Sequence, residues 1–195
     1  MTVYRKLLPA ERRRYKDHLL RLDRADRYSR FSGTVSEETI ERHCQESDWR
    51  YTILLGCFVK GELRGAVELR TDPTLWADNA ELAISVEKGF QGLGMGRELM
   101  RRSLNVARNR SIRHVHMMCL RGNRRMLSLA REFGGKVAVE EGEFLTDFAQ
   151  DWPNQTSLMV EAIEDGQAAV SAVLDQIQVS GERIFAHQEA LLKAA

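Results

Sequence analysis

Gln91, Gly92, Leu93, Gly94, Met95 and Gly96 stand between an apolar segment and an amphipathic one, and their types suit an anion. A helix N-terminus leaves its first N–H groups unpaired and carries the positive end of the helix dipole. Glycine lets the backbone come close to a ligand and adopt positive φ. Phosphate is the group such a turn cradles. Two familiar versions fail on the residues present. A Walker A loop needs Lys followed by Ser or Thr after its last glycine, where Arg97 and Glu98 stand. The dinucleotide fingerprint needs G-x-G-x-x-G, whereas Gly92, Gly94 and Gly96 form G-x-G-x-G.

The flanks must position this turn. Residues 80–86 read as a strand, with Leu82, Ile84 and Val86 on one face and Glu81, Ala83 and Ser85 on the other. After the turn, Leu99, Met100, Leu104 and Ala107 recur at helical spacing. Upstream, residues 51–59 are β-branched and apolar, Lys60-Gly61-Glu62 is a tight turn, and residues 65–70 form the hairpin partner, ended by Asp72-Pro73. Downstream, residues 114–120 read as a strand. Asn123 caps a helix carrying Met126, Leu127, Leu129, Ala130 and Phe133, which Gly134-Gly135 ends. Residues 136–140 and 156–161 read as final strands joined by an acidic loop that contains Trp152-Pro153. The first third reads helical: Pro9 opens it, Leu19, Leu20 and Leu22 are its apolar positions, Ser32-Gly33 break it, and Ser36 caps a further short helix through Ile40 and Cys44.

From about residue 165 the pattern changes. Val170, Val173, Leu174 and Ile177 follow i, i+3, i+4, i+7, and Ile184, Phe185, Leu191 and Leu192 extend the stripe beyond Gly181. This predicts a C-terminal helix, or a bent pair, whose stripe is buried on its own domain or on a second copy in a homodimer. Composition bounds the rest. In 195 residues, 43% are apolar and 29% charged, an ordinary globular balance, and 29 Lys and Arg offset 28 Asp and Glu. A net charge of +1 gives no general attraction for nucleic acid, so the arginine pairs read as solvated helix faces. No apolar run approaches the ~20 residues that span a bilayer, and no apolar signal core follows the N-terminus, so a cytoplasmic protein without membrane attachment is expected. Cys44, Cys57 and Cys119 form no CxxC and read as reduced thiols. His43-Cys44, His114 and His116 match no standard ligand spacing, so no metal is expected.

The segment 91–96 matches Gln/Arg-x-x-Gly-x-Gly/Ala and resembles motif A of the GCN5-related N-acetyltransferase (GNAT) family. Residues 80–86 resemble that family's fourth strand, and Asn123-Arg124-Arg125-Met126 through Gly134 its later Asn-led helix. The resemblance covers about residues 1–162, a GNAT domain, and leaves residues 163–195 as a C-terminal helical extension. Tyr28-Ser29-Arg30-Phe31-Ser32-Gly33, Ala80-Glu81 and residues 123–130 bring it closest to the acetyltransferase domain of bacterial protein-lysine acetyltransferases. The implied fold is α/β (α+β), a mixed, mostly antiparallel central sheet flanked by helices.

The implied activity is transfer of acetyl from acetyl-CoA to a primary amine, a protein lysine or a small molecule, by direct attack through a tetrahedral intermediate. The backbone from Gln91 through Gly92, Gly94, Met95 and Gly96 to Arg97 would hold the pyrophosphate, with Arg97 adding charge. The strand edge at Ile84, Ser85 and Val86 would pair with the pantetheine arm between strands that splay apart, and Asn123 would hydrogen-bond that arm or hold its loop. Glu81 is the implied general base, with Glu68 as a second candidate. Many members of the family place a Tyr acid seven residues after the Asn; here Ala130 stands there. That departure keeps an alternative open, a non-catalytic acyl-CoA-binding regulatory module. The acidic segments around residues 27–50 and 140–151 favour a cationic acceptor.

Overall fold

The computed structural model of the chain describes residues 2–71, 78–140 and 143–194. It begins with a strand the helical reading did not anticipate, β1 (Thr2–Lys6), which pairs antiparallel with β2 (Thr52–Val59). Five residues, three of them polar or charged, carry too little alternation to be read alone; the apolar edge of β2 selects them. Three helices follow: α1 (Arg12–Arg21), α2 (Arg24–Phe31) and α3 (Glu37–Glu46). The Asp23 side chain accepts from the Asp26 N–H and the Ser36 side chain from the Thr39 N–H, so both helices start on ordinary N-caps.

β2 turns through Lys60 and Gly61, at φ 50° and 75°, into β3 (Glu62–Thr71), as the hairpin pattern requires. The expected Asp72-Pro73 break lies outside the described residues. β4 (Asn79–Val86) is antiparallel to β3, and the glycine turn leads from it into α4 (Met95–Asn109). β5 (His114–Cys119) is parallel to β4; α5 (Arg124–Glu132), β6 (Lys136–Glu140) and β7 (Glu143–Ala149) complete a sheet of order β1-β2-β3-β4-β5-β7-β6. The fold class is therefore the expected one, mixed and mostly antiparallel with helices on both faces.

Strand alternation divides the core. Leu54, Phe58, Leu63 and Ala66 face α1–α3 and meet Leu19, Ile40 and Cys44. Leu55, Cys57, Val67, Leu69, Leu82 and Ile84 face α4 and meet Leu99, Met100 and Ala107. Two expectations need correction at the C-terminal end. The partner of β6 is β7, which lies inside the segment read as an acidic loop, and residues 156–161 are helix rather than strand. A reciprocal cap starts the helix there instead. The Ser157 N–H donates to Asn154 Oδ1 at 2.8 Å, and the Asn154 N–H donates to Ser157 Oγ at 3.0 Å. The helix they open, α6 (Gln155–Ala194), is single rather than a bent pair and crosses residues 162–163 without interruption. Its stripe at Val170, Val173, Leu174 and Ile177 is exposed in the single chain.

Gly134, at φ 75°, and Gly135 end α5, and the second is fixed by packing. A Cβ on Gly135 would lie 2.4 Å from Thr146 Cγ2 and 2.9 Å from the Ala130 carbonyl oxygen. Gly135→Ala is therefore expected to destabilise the chain by about 1–3 kcal/mol in urea titration. Gly122→Ala, whose Cβ would meet nothing within 4 Å, should leave the midpoint unchanged.

Candidate functional site

The β4–β5 ladder contains only Asn79↔His114, Ala80↔Val115 and Glu81↔His116. Beyond Glu81 the strands part. β4 stays bonded to β3 through Val86, and β5 stays bonded to β7 through Cys119, so each is held from its far side. The gap is a cleft of about 200 Å³. One wall is the β4 edge from Leu82 to Val86; the others are Met117, Met118 and Cys119 of β5, Asn123, Arg125, Met126 and Leu129 at α5, and Asp26, Ser29 and Arg30 of α2. Gln91, Gly92 and Gly96 close its end.

That end is built to receive an anion. Gly94 is the N-cap of α4 at φ 80° with no side-chain cap, and Gly92 stands at φ 78°. The first N–H groups of a fifteen-residue helix are left for an outside partner. A Cβ on Gly92 or Gly94 would meet nothing within 4 Å, and one on Gly96 only side chains at 3.9–4.0 Å. Packing therefore does not require a glycine at 96.

The expected site residues take distinct places. Ile84, Ser85, Val86, Gln91, Gly92, Gly96 and Asn123 line the cleft. The Met95 side chain is in the core, so only its backbone belongs to the turn. Arg97 is exposed and paired with Glu132 on α5. Asn123 Oδ1 accepts from the Met126 N–H at 3.1 Å, so it caps α5 while lining the cleft. Gln91 is a latch: its Nε2 donates to the Val86 carbonyl and to Asp26 Oδ2, both at 2.9 Å, and its Oε1 accepts from Arg125 at 3.0 Å. Asp26, Ser29 and Arg30 were not anticipated as wall residues. The sequence shows only a charged helix there, and nothing local says which sheet edge it crosses.

Glu81 is exposed on the far lip of the parting. With Arg30, His43, Glu68, Arg70 and Ala83 it lines a small cavity of about 40 Å³. Arg30 and Ala83 line both spaces, so the two adjoin. Glu68, the second candidate base, is already engaged. It is buried and accepts from Tyr15 Oη at 2.9 Å, His43 Nε2 at 3.0 Å, Arg70 at 2.9 Å and Arg30. Burial alone would raise its pKa; the His43 hydrogen bond and the charges of Arg30, His43 and Arg70 outweigh burial and hold it well below the usual carboxylate range. It anchors the cavity wall. Ala130, at the position where Tyr was considered, is fully buried in the core.

A second buried network fixes β4 just before the turn. His18 Nδ1–H donates to Glu87 at 3.1 Å, and His18 Nε2 accepts from Ser85 Oγ at 2.9 Å, the tautomer following from the carboxylate. Arg21 and Arg64 also donate to Glu87, at 2.9 and 2.8 Å. His114 and His116 stack with ring centroids 6.2 Å apart beside Asp147. Among the described residues no group of three His, Cys, Asp or Glu is placed to hold a metal ion, and no helix is long and apolar enough to cross a membrane. The three cysteines are unpaired and buried.

Burial lowers the His18 pKa below its usual 6.5, against the pull of Glu87. The unfolded ring takes up a proton near pH 6.5 while the folded ring stays neutral, so stability is full above that pH and falls as pH drops. Glu98, held at about 2 by hydrogen bonds from Arg101 and Arg102, adds its own loss only below about 4.5. The urea midpoint should therefore fall between pH 7.5 and 5.5, and His18→Gln should shrink that difference. An equal pH effect in the variant would remove His18 as its source.

Comparison with known proteins agrees with this geometry. The model of the acetyltransferase (GNAT) family matches residues 17–135. An acetyltransferase of Pseudomonas aeruginosa is 28% identical over 136 residues, 68% of this chain and 73% of that one. Among solved structures, the GNAT domain of Streptomyces lividans PAT superposes with a TM-score of 0.66 at 23% identity, covering 75% of this chain and 89% of that one. The PaiA N-acetyltransferase of Thermoplasma acidophilum, solved in complex with coenzyme A, gives a TM-score of 0.57 at 19% identity, covering 76% and 99%. These structural likenesses establish a shared fold.

Proposed function

The chain belongs to the acetyltransferase (GNAT) family, and on that premise we propose that it transfers the acetyl group of acetyl-CoA to a primary amine. The observation that carries the reading is the parting of β4 from β5 immediately after Glu81, with an uncapped helix N-terminus at the other end of the opening. A long, thin ligand with an anionic end fits such a space. Acetyl-CoA supplies an activated acetyl thioester, so an amine can be acetylated without a nucleophile from the protein.

The residues present divide that work. The N–H groups from Gly92 to Arg97 bind the pyrophosphate, and the glycines let it approach. The free edge of β4 from Leu82 to Val86 pairs with the pantetheine arm as an added strand would. Gln91 holds that wall in place, and Asn123 holds the start of α5 across from it. Backbone N–H groups of the same edge, at Val86 or nearby, face the thioester as oxyanion donors. Glu81 stands where the long cleft and the small cavity adjoin and takes the amine proton, through a water if the acceptor sits short of it. Glu68 is committed to four donors, so Glu81 is the exposed carboxylate of that cavity. Its charge attracts a cationic amine. A CoA thiolate, with a thiol pKa of about 8.5, leaves without a tyrosine acid and is reprotonated by water.

Glu81→Gln should leave the acetyl-CoA dissociation constant within about twofold by calorimetry while lowering kcat/KM on an accepted amine about 100-fold or more. Gly94→Val, forced to φ 80°, should weaken acetyl-CoA binding about tenfold or more. Unchanged turnover in the first variant would remove Glu81 from the reaction. Binding without turnover on any amine or peptide would support the acyl-CoA-binding regulatory module that Ala130 leaves open, and no binding would overturn the reading of the turn.

A further inference from the structure

α6 faces the domain with its charged side. Glu161 takes Lys6 at 2.5 Å and Arg110 at 3.0 Å, Asp165 takes Lys6 at 2.5 Å, and Glu164 pairs with Arg101. Ser157 and Ala168 are the buried positions on the same side, and the Ser157 carbonyl accepts from Asn109 at 2.9 Å. At roughly 100° per residue, these positions fall in one sector of the helix. Met159, Ile163, Val170, Val173, Leu174 and Ile177 fall in the opposite sector, and each is between 52% and 63% exposed. An ordinary surface helix is arranged the other way round, apolar side in. Here docking by ion pairs turns the apolar stripe outward.

The spacing of the stripe identifies what fits it. Ile163, Val170 and Ile177 recur every seventh residue, and the sequence continues the series at Ile184 and Leu191. A seven-residue apolar repeat keeps facing a partner only if the partner is a helix that coils with it. Ile163, Val170, Ile177 and Ile184 are β-branched, as the residues at this seam position are in two-stranded parallel coils. Met159, Val173 and the small Gly166 and Ser180 occupy the intervening seam positions. A parallel second copy sets like seam residues opposite one another and brings the two sets of flanks together, where charges of one sign would repel. The flanking residues Val160, Ala162, Gln167, Ala169, Leu174 and Gln176 carry none, and of the four flanks beyond them, Gly181, Arg183, Gln188 and Ala190, Arg183 alone is charged. The six exposed side chains on each of two helices would bury on the order of 1,000 Å² together, the size of a specific interface. We propose that this stripe is the seam of a parallel two-stranded coiled coil between two copies of the chain. Each domain then sits on the outer side of its own helix, clear of the seam and of the cleft.

The test uses the full chain, by light scattering over a concentration series. Wild type should have the mass of two chains. Val170→Glu combined with Ile177→Glu should have the mass of one, with acetyl-CoA affinity unchanged, since neither residue lines the cleft. Oxidation of Ile177→Cys should cross-link two copies, whereas Ser171→Cys, off the seam, should not. The native thiols are buried and stay silent. A wild-type chain that remains single at every concentration overturns the proposal, as does a dimer that survives both glutamates. Binding of a single chain to anionic lipid vesicles through the stripe would also overturn it, assigning the surface to a membrane. If the double variant fails to fold, cross-linking decides: no disulfide-linked pair at position 177 rejects the parallel seam.

Discussion

A sheet that stays open in its middle has to be held open, and that constraint organises this molecule. Past Glu81↔His116 the β4 and β5 edges carry unpaired N–H and C=O groups. Such groups, buried without partners, cost as much as broken hydrogen bonds. The strands do not close on each other because each is anchored on its other side. β4 is tied to β3 along its length and pinned at its end by Glu87, His18, Arg21 and Arg64. β5 is tied to β7, and the Gly135 contact with Thr146 and the Ala130 carbonyl fixes α5 beside it. Gln91 then spans the mouth, bonded to β4, α2 and α5 together.

The charges around the opening follow the same logic. Glu68 is surrounded by Arg30, His43, Arg70 and Tyr15, which favours its charged form and gives Arg30 a fixed place between the two spaces. An isolated buried carboxylate would be costly; this one is paired and fully hydrogen-bonded. Glu81, one strand over on the same side of the sheet, has no such set of donors and stays exposed. Two carboxylates of one small cavity thereby have different surroundings, Glu68 buried among donors and Glu81 open to solvent.

The parts of the fold that were legible are those with strong local signals. The β2–β3 hairpin, the β4 strand, the glycine turn with its helix, and the Asn123 cap each follow from residue types within ten or fifteen positions. The parts that were not legible depend on distant partners. β1 is a strand because β2 offers it an edge some fifty residues away, as in Val3↔Phe58. Residues 156–161 are helix because the Asn154–Ser157 cap starts one there and ion pairs to Lys6 and Arg110 hold it. The outward turn of the α6 stripe was equally hidden: amphipathicity says that a stripe exists, and only the charged contacts say which side faces the domain.

The sequence by itself determined the family resemblance, the glycine turn that opens a helix and the strand that carries Glu81, because chain order and side-chain type specify a backbone conformation. Tertiary structure alone decided which groups share the cleft. It brought Asp26, Ser29 and Arg30 from α2 across to a strand edge and surrounded Glu68 with donors. It also sent the Arg97 side chain away to Glu132. The physical reason is that a pKa, a free strand edge and an exposed face are properties of neighbours in space, and most of those neighbours lie far apart along the chain.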